Sequence, residues 1–291
     1  MKQPTKAIIC AAGLGTRFLP QTKAMAKEML PIIDKPVIQL VVEELVSAGV
    51  TDIIIVTDST KRSIEDHFDR SDELEQKLRE NGKTDKADVI KKVAELANFV
   101  YIRQKGSPKG NARPVINAQH LINDEPFFVF AADDFFTGQI SRAVQMVDAY
   151  NKTGGQPVIC LAEISPQDAD KYGVAAVKQD LGGGLLKLSG VIEKPGATKM
   201  PSKYASMMGY LLTPDILPII SKEILNPSGE IVLVDSINEL CQITDVYGQV
   251  IDGTYRDSGD PIKYLRTIVE VAIESADYGK DFEQYLRDRL A

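Results

Sequence analysis

KAIICAAGLGTRFLPQTKAMAKEMLPIIDKP, residues 6–36, opens on a short apolar run, Ala7–Cys10, bounded by small residues. A run this short, turning straight into glycine-rich sequence, predicts a buried parallel strand rather than a helix. Ala11-Ala12-Gly13-Leu14-Gly15-Thr16-Arg17 follows. Small side chains let the backbone approach a ligand, glycine accepts φ > 0, and the peptide N–H groups of such a loop can face an anion. Arg17, Lys23 and Lys27 add positive charge. A strand end, a small-residue loop and nearby cations make a site for a polyphosphate. The loop is not a P-loop, which needs G-x-x-x-x-G-K-[ST]. Nor is it a dinucleotide fingerprint, because Phe18 stands where G-x-G-x-x-G needs its third glycine.

Working outward, Val37–Ala48 has apolar residues at 37, 38, 41, 42, 45 and 46, a helical spacing closed by Gly49. Asp52–Thr57 is a second buried strand, so the start of the chain is a right-handed βαβ unit with a parallel sheet. Ser59–Leu96 is highly charged and helical in pattern, broken near Gly82, and reads as solvated helix faces. Phe99–Arg103 is a strand that delivers Gln104. Phe127–Ala132 is a fully apolar strand ending in Asp133-Asp134, where open α/β sheets bind ligands. An Asp pair can also cap the next turn, and Asp134 is assigned that role.

Val158–Ile164 predicts a strand, and Ser165–Lys171 a short helix with Ser165 as N-cap. Tyr172–Val177 and Leu185–Ile192 flank a Gly182-Gly183-Gly184 hairpin turn. Tyr204–Leu212 is a strand interrupted by Gly209, and Thr213-Pro214 starts a helix. Glu230 and Asp235, set among valines, read either as helix N-caps or as hydrogen-bonding groups for a ligand. Gln249–Asp252 predicts a late strand, Pro261–Ala276 a long amphipathic helix capped by Asp260, and Asp281–Leu290 a short charged helix.

Length and composition bound the function. The 291 residues suit one large α/β domain or two small ones. A net charge of −7 argues against a general nucleic-acid or membrane-surface binder. No run approaches a membrane span, and the N-terminus shows no signal-peptide core, so a cytoplasmic protein is expected. Cys10, Cys160 and Cys241 read as buried reduced thiols. His67 and His120 have no metal-ligand spacing, which disfavours histidine catalysis.

The longer string is more specific than its glycines. GxGTR, followed by K-x-x-x-K-E-M-L-P and D-K-P, resembles the signature of the sugar-nucleotide pyrophosphorylases. KEMLPIIDKPVIQ and the insertion SIEDHFDRSDELEQKL are most similar to the bacterial uridylyltransferase branch of that family. The resemblance runs from Lys6 to about Ala276. It implies an α/β fold with a Rossmann-like mixed, mainly parallel sheet flanked by helices. It also implies a single nucleotidyltransferase domain over residues 1–291, with a nucleotide-binding half to about 150, a sugar-phosphate-binding half over 151–276 and a C-terminal helix over 277–291.

The resemblance further implies transfer of a uridylyl group from UTP to glucose 1-phosphate, giving UDP-glucose and pyrophosphate with Mg2+. The nucleotide contacts are then Ala11, Ala12, Gly13, Gly15, Thr16, Glu28, Gln104 and Gly110. The sugar-phosphate contacts are Gly173, Glu193, Lys194, Gly209 and Glu230. Arg17, Lys27, Asp133 and Lys194 carry the chemistry, and Asp133 and Asp257 hold the metal. No nucleic acid or membrane partner is implied, and a homo-oligomer, dimer or tetramer, is expected. The chain departs from the family pattern in three places. K-G-L-G-H-A is Lys109-Gly110-Asn111-Ala112-Arg113-Pro114; G-E-I-Q-L-T-D carries Val232 and Val234; D-C-G-D carries Ser258. These departures leave open a thymidylyl- or other nucleotidyltransferase, or a non-catalytic paralogue that binds sugar nucleotides.

Overall fold

The computed structural model describes residues 1–290. β1 (Lys6–Cys10) is followed by a two-stranded ribbon, β2 (Pro31–Ile32) and β3 (Lys35–Pro36), then by α1 (Val37–Ser47) and β4 (Asp52–Thr57). β1 and β4 pair in parallel with Ile8 opposite Ile54. α1 stops where Gly49 takes φ 90°, a conformation open to a residue without Cβ. The charged segment becomes three helices, α2 (Arg62–Phe68), α3 (Asp72–Glu80) and α4 (Thr84–Ala94). It breaks at residues 69–71 as well as at Gly82. Only a thin apolar stripe holds these helices down, with Ile64, Phe68 and Ala87 buried.

β5 (Asn98–Arg103) runs parallel to β4, and α5 (Arg113–Ala118) leads to β6 (Phe127–Ala131), every residue of which is buried. β7 (Asp134–Thr137) follows, then α6 (Arg142–Lys152). Ser141 caps α6, its Oγ accepting the Val144 N–H at 3.3 Å. β8 (Val158–Glu163), the hairpin β9 (Gly173–Asp180) and β10 (Leu185–Glu193), and β11 (Tyr204–Leu212) come next. α7 (Leu217–Ile220), α8 (Leu233–Leu240), β12 (Val246–Val250), β13 (Thr254–Asp257), α9 (Pro261–Glu274) and α10 (Gly279–Leu290) complete the chain.

Nine strands form one mixed sheet in the order β5-β4-β1-β6-β11-β8-β12-β10-β9. The parallel character sits in β5-β4-β1-β6 and recurs between β8 and β12. β11 is antiparallel to both β6 and β8, and β9 and β10 are an antiparallel hairpin. One apolar layer, with Ile9, Val41, Phe128 and Cys160, covers one face of the sheet. A second, with Ile8, Val129, Ile159 and Ile237, covers the other. Both layers cross from the first half of the chain into the second.

Three local expectations are corrected. Residues 165–171 make only a 3-10 turn over Pro166–Asp168, because the Ser165 hydroxyl donates to the Asp168 carboxylate at 2.8 Å instead of capping a helix. The late strand lies at Val246–Val250 rather than 249–252, since Tyr247 and its neighbours pair with β8. Asp134 caps no turn: it begins β7 and is buried. The three cysteines are free thiols, with Cys160 fully buried and Cys10 and Cys241 partly so.

Candidate active site

Two carboxylates meet where β6 ends and β13 ends. β7 pairs with β13 in the register Asp134 to Asp257, which brings the Asp133 and Asp257 side chains together across 124 residues of chain. Gly259 fits between them. A Cβ added there would lie 3.2 Å from Asp133 Oδ2 and 3.2 Å from Asp257 Oδ1. The missing side chain thus leaves a cradle with one oxygen from each acid on its wall. Ser258 locks the arrangement, its Oγ and backbone N–H both donating to the Asp133 carbonyl oxygen at 2.6 and 3.1 Å. The hydroxyl that stands where the family has cysteine is buried and used in this bond.

The donor set suits a hard divalent cation. Two carboxylate oxygens facing one point, with the rest of the shell left to ligand oxygens and water, is a Mg2+-like arrangement. Among the described residues, no three His, Cys, Asp or Glu side chains gather as a closed protein cage.

The glycine loop leans on the same place. Gly15 takes φ 65°, and a Cβ on it would press on Lys27 Cβ at 3.1 Å; one on Gly13 would reach Lys27 Cε at 3.4 Å. The Lys27 ammonium forms an ion pair with Asp133 Oδ2. Burial draws the Lys27 pKa down, but Asp133 and then Glu28 more than offset this, so Lys27 stays firmly charged. Arg17 is exposed, and its Nη1 donates to the Gly259 carbonyl at 3.2 Å. Loop, cations and acids are thus contiguous. Thr16 starts a 3-10 turn, and Ala11 and Ala12 lead into the loop from β1, with the Ala11 N–H donating to Val56 O at 2.8 Å.

Glu28 is a correction. It is completely buried, with Lys61 donating to both its oxygens at 2.7 and 2.9 Å. Lys61, itself buried, also donates to the Ala11 carbonyl at 2.7 Å. Glu28 therefore braces the loop from beneath and does not face a nucleotide. Burial pushes the Glu28 carboxyl up and the Lys61 ammonium down; their mutual attraction opposes both shifts. Lys61 lay in a stretch read as solvated, and no local sequence signal marks its partner 33 residues away.

The loop after β5 is stitched to the loop before α8. Lys109 O accepts the Ile231 N–H at 3.0 Å, and Ile231 O accepts the Ala112 N–H at 3.2 Å. Asn111 Oδ1 accepts the Leu233 N–H at 2.8 Å. Gly110 takes φ 138°, and a Cβ on it would fall 2.0 Å from Ile231 O. Arg113, where the family has histidine, turns into the protein. It donates to Pro108 O at 2.9 Å and makes a two-pronged pair with Glu223 at 3.0 and 2.9 Å. The substitution braces the loop rather than adding a group to the cleft. The Gln104 N–H is fixed to Thr57 O at 2.8 Å, which places Gln104 at the same sheet edge.

A cavity of about 190 Å³ reaches Asp134 and Tyr255 of the β7–β13 ribbon and is lined by Gly173, Glu193, Lys194, Asn111, Ser206 and Val234, among others. A Cβ on Gly173 would meet Val191 Cγ1 at 2.9 Å and Glu193 Oε2 at 3.1 Å, so the glycine makes room for the carboxylate. Lys194 takes φ 45°, rare for a residue with a side chain. Two expected sugar contacts fall outside the cavity lining. Glu230 is exposed on the preceding loop, and Val234 of α8 takes the place on the wall. Gly209 is accounted for by packing, since a Cβ there would be 2.8 Å from Cys160 Cβ. Neither Glu230 nor Asp235 is a helix N-cap; Val232 is.

The chain is similar to known proteins along nearly its whole length. Residues 6–273 match the Nucleotidyl transferase family. A UTP–glucose-1-phosphate uridylyltransferase of Bacillus subtilis is 41% identical over 290 residues, covering 100% of this chain and 96% of that protein. A UTP-bound UGPase from Acinetobacter baumannii superposes with a TM-score of 0.89 at 30% identity, covering 98% of this chain and 99% of that one. A UDP-glucose pyrophosphorylase complexed with UDP-glucose superposes with a TM-score of 0.84 at 33% identity, covering 94% and 100%.

Proposed function

The chain belongs to the nucleotidyl transferase family, and from that premise we propose that it transfers a uridylyl group from UTP to glucose 1-phosphate, releasing pyrophosphate and UDP-glucose. The observation that carries the reading is the meeting of Asp133, Asp257 and Lys27 beside the glycine loop. The chemistry brings two anions together, so charge and position dominate and no covalent nucleophile is required. Mg2+ between Asp133 and Asp257 would supply charge neutralisation at the α-phosphoryl oxygens. Arg17 holds the β- and γ-phosphates. Lys27 leaves Asp133 for the α-phosphoryl as charge builds there, and Lys194 orients the attacking phosphate. Glu193 accepts from glucose hydroxyls, and Gln104 reads the base edge, as an amide can by donating and accepting at once.

The two halves act as one catalytic unit in the cytoplasm, assembled as a homo-oligomer. No helix among the described residues is long and apolar enough to cross a membrane. Pyrophosphate release with UTP and glucose 1-phosphate, with and without Mg2+, tests the reading. Metal-dependent release is expected. No release, or faster release with dTTP in place of UTP, would overturn it. Gly110→Ala probes the base side. Its Cβ cannot coexist with Ile231 O, and forced backbone strain is worth about 1–3 kcal/mol. A rise in the KM for UTP of about tenfold is expected; an unchanged KM would separate this loop from the base.

A further inference from the structure

The two acids are not held alike. At Asp133 the oxygen that faces the cradle, Oδ2, is the one paired with Lys27. At Asp257 the work is divided. Oδ1 faces the cradle and accepts the Gly259 N–H at 2.8 Å, while Oδ2 takes Lys263 Nζ at 2.6 Å. A cation entering the cradle competes with the Lys27 ammonium for the charge of Asp133 Oδ2, whereas Lys263 occupies the other oxygen of Asp257 and can stay there. Lys263 stands on the first turn of α9, its backbone fixed by the Asp260 cap. Its Nζ also donates to Tyr172 Oη at 3.0 Å and lies 5.5 Å from the centre of that ring. Tyr172 in turn accepts the Lys194 N–H on its backbone oxygen at 3.2 Å.

We propose that Lys263 is a positioning residue for the metal: it holds the far oxygen of Asp257 so that the near one is presented to the cradle, and it ties that acid through Tyr172 to the segment carrying Lys194. The proposal rests on the reading that Asp133 and Asp257 bind a divalent cation. Two opposing effects decide its sign. An ammonium near the cradle repels a second cation, so removing it would tighten metal binding if charge were its only contribution. An ammonium that orients a ligand loosens metal binding when removed, commonly by about tenfold or more.

Mn2+ binding, followed by electron paramagnetic resonance of the free ion with UTP present and no sugar phosphate, separates the two. K263M is expected to weaken Mn2+ binding by about tenfold. The half-saturating Mg2+ for turnover should rise in parallel, with little change in kcat at saturating metal. K263R should restore most of the binding, and Y172F should give a smaller shift in the same direction. Lys263 is partly exposed on a helix; should K263M melt early, K263R and Y172F still report on the link. Mn2+ binding that is unchanged or tighter in K263M overturns the role of Lys263 alone. A wild-type protein that binds no Mn2+ overturns both this proposal and the metal reading beneath it.

Discussion

Asp133→Asn is expected to lower turnover of UTP with glucose 1-phosphate by about 10²–10³-fold, the loss typical when one preorganised electrostatic partner of a transition state is removed. Asp133 Oδ2 bounds the Gly259 cradle and pairs with Lys27. An amide keeps the shape but removes the charge that would hold the cation and fix Lys27. Some stability should be lost as well, because both side chains of the pair are only about one-fifth exposed and Lys27 is left without its nearest counter-charge, but less than at a fully buried pair. The measurement is kcat as a function of Mg2+, alongside a urea melt. Near-normal turnover with unchanged metal dependence would remove Asp133 from the site. The neighbouring Asp134→Asn is the control: its carboxylate points into the core at Arg142. Loss of stability, with a smaller loss of turnover, is expected there.

That contrast shows what could be read from residues alone. The glycine loop announces itself by residue type and Asp133 by its place after an apolar strand, while the roles of Lys27 and Asp257 come from the resemblance of their motifs to the family. Asp133 follows β6, at the edge where a parallel sheet presents its ligands, whereas Asp257 ends β13 in a two-stranded antiparallel ribbon that the parallel-sheet rule does not place. Burial partners leave no such trace. Arg142 looks like the start of an ordinary surface helix, and Glu44 like a polar position on an amphipathic one. Their contact spans 98 residues and exists only because α1 and α6 pack on the same face of the sheet. The same holds for Glu28 and Lys61, both read from the chain as facing solvent or ligand. Gly110 and Gly259 matter for what would collide with a Cβ. That depends on a second loop, which sequence spacing cannot place. The Gly182-Gly183-Gly184 hairpin was legible, but β11 turning antiparallel between β6 and β8 was not, since no turn chemistry specifies it.

Arg142→Met is expected to destabilise the fold by about 3–5 kcal/mol at pH 8, a large share of the ~5–15 kcal/mol that holds a typical domain. Arg142 is fully buried, donates to Asp134 Oδ1 at 2.7 Å and Asp134 O at 2.8 Å, and places Nε 3.1 Å from Glu44 Oε2. Its guanidinium also lies 4.2 Å over the Phe130 ring. Removing it strands two carboxylates in the core. Burial already pushes both up, Glu44 to about 7 and Asp134 to about 6, against the pull of Arg142. The folded-state values lie above the unfolded ones, so the folded state binds more protons between them. The contribution of this pair to stability is therefore full below the unfolded carboxylate range and is lost as pH rises through about 6 to 7. Without the guanidinium both carboxyls rise further, so the gap between wild type and variant should narrow on going from pH 8 to pH 5.5. Urea melts at the two pH values measure it; a gap that does not change with pH would sink the account. Adding Glu44→Gln and Asp134→Asn to Arg142→Met removes the stranded charges and should recover part of the stability at pH 8, because the cost lies in breaking the ion cluster rather than in lacking one. Turnover should not recover with it. β7 begins at Asp134, next to Asp133, and pairs residue for residue with the strand ending at Asp257, so the cluster that holds this corner of the core also sets the floor beneath both acids.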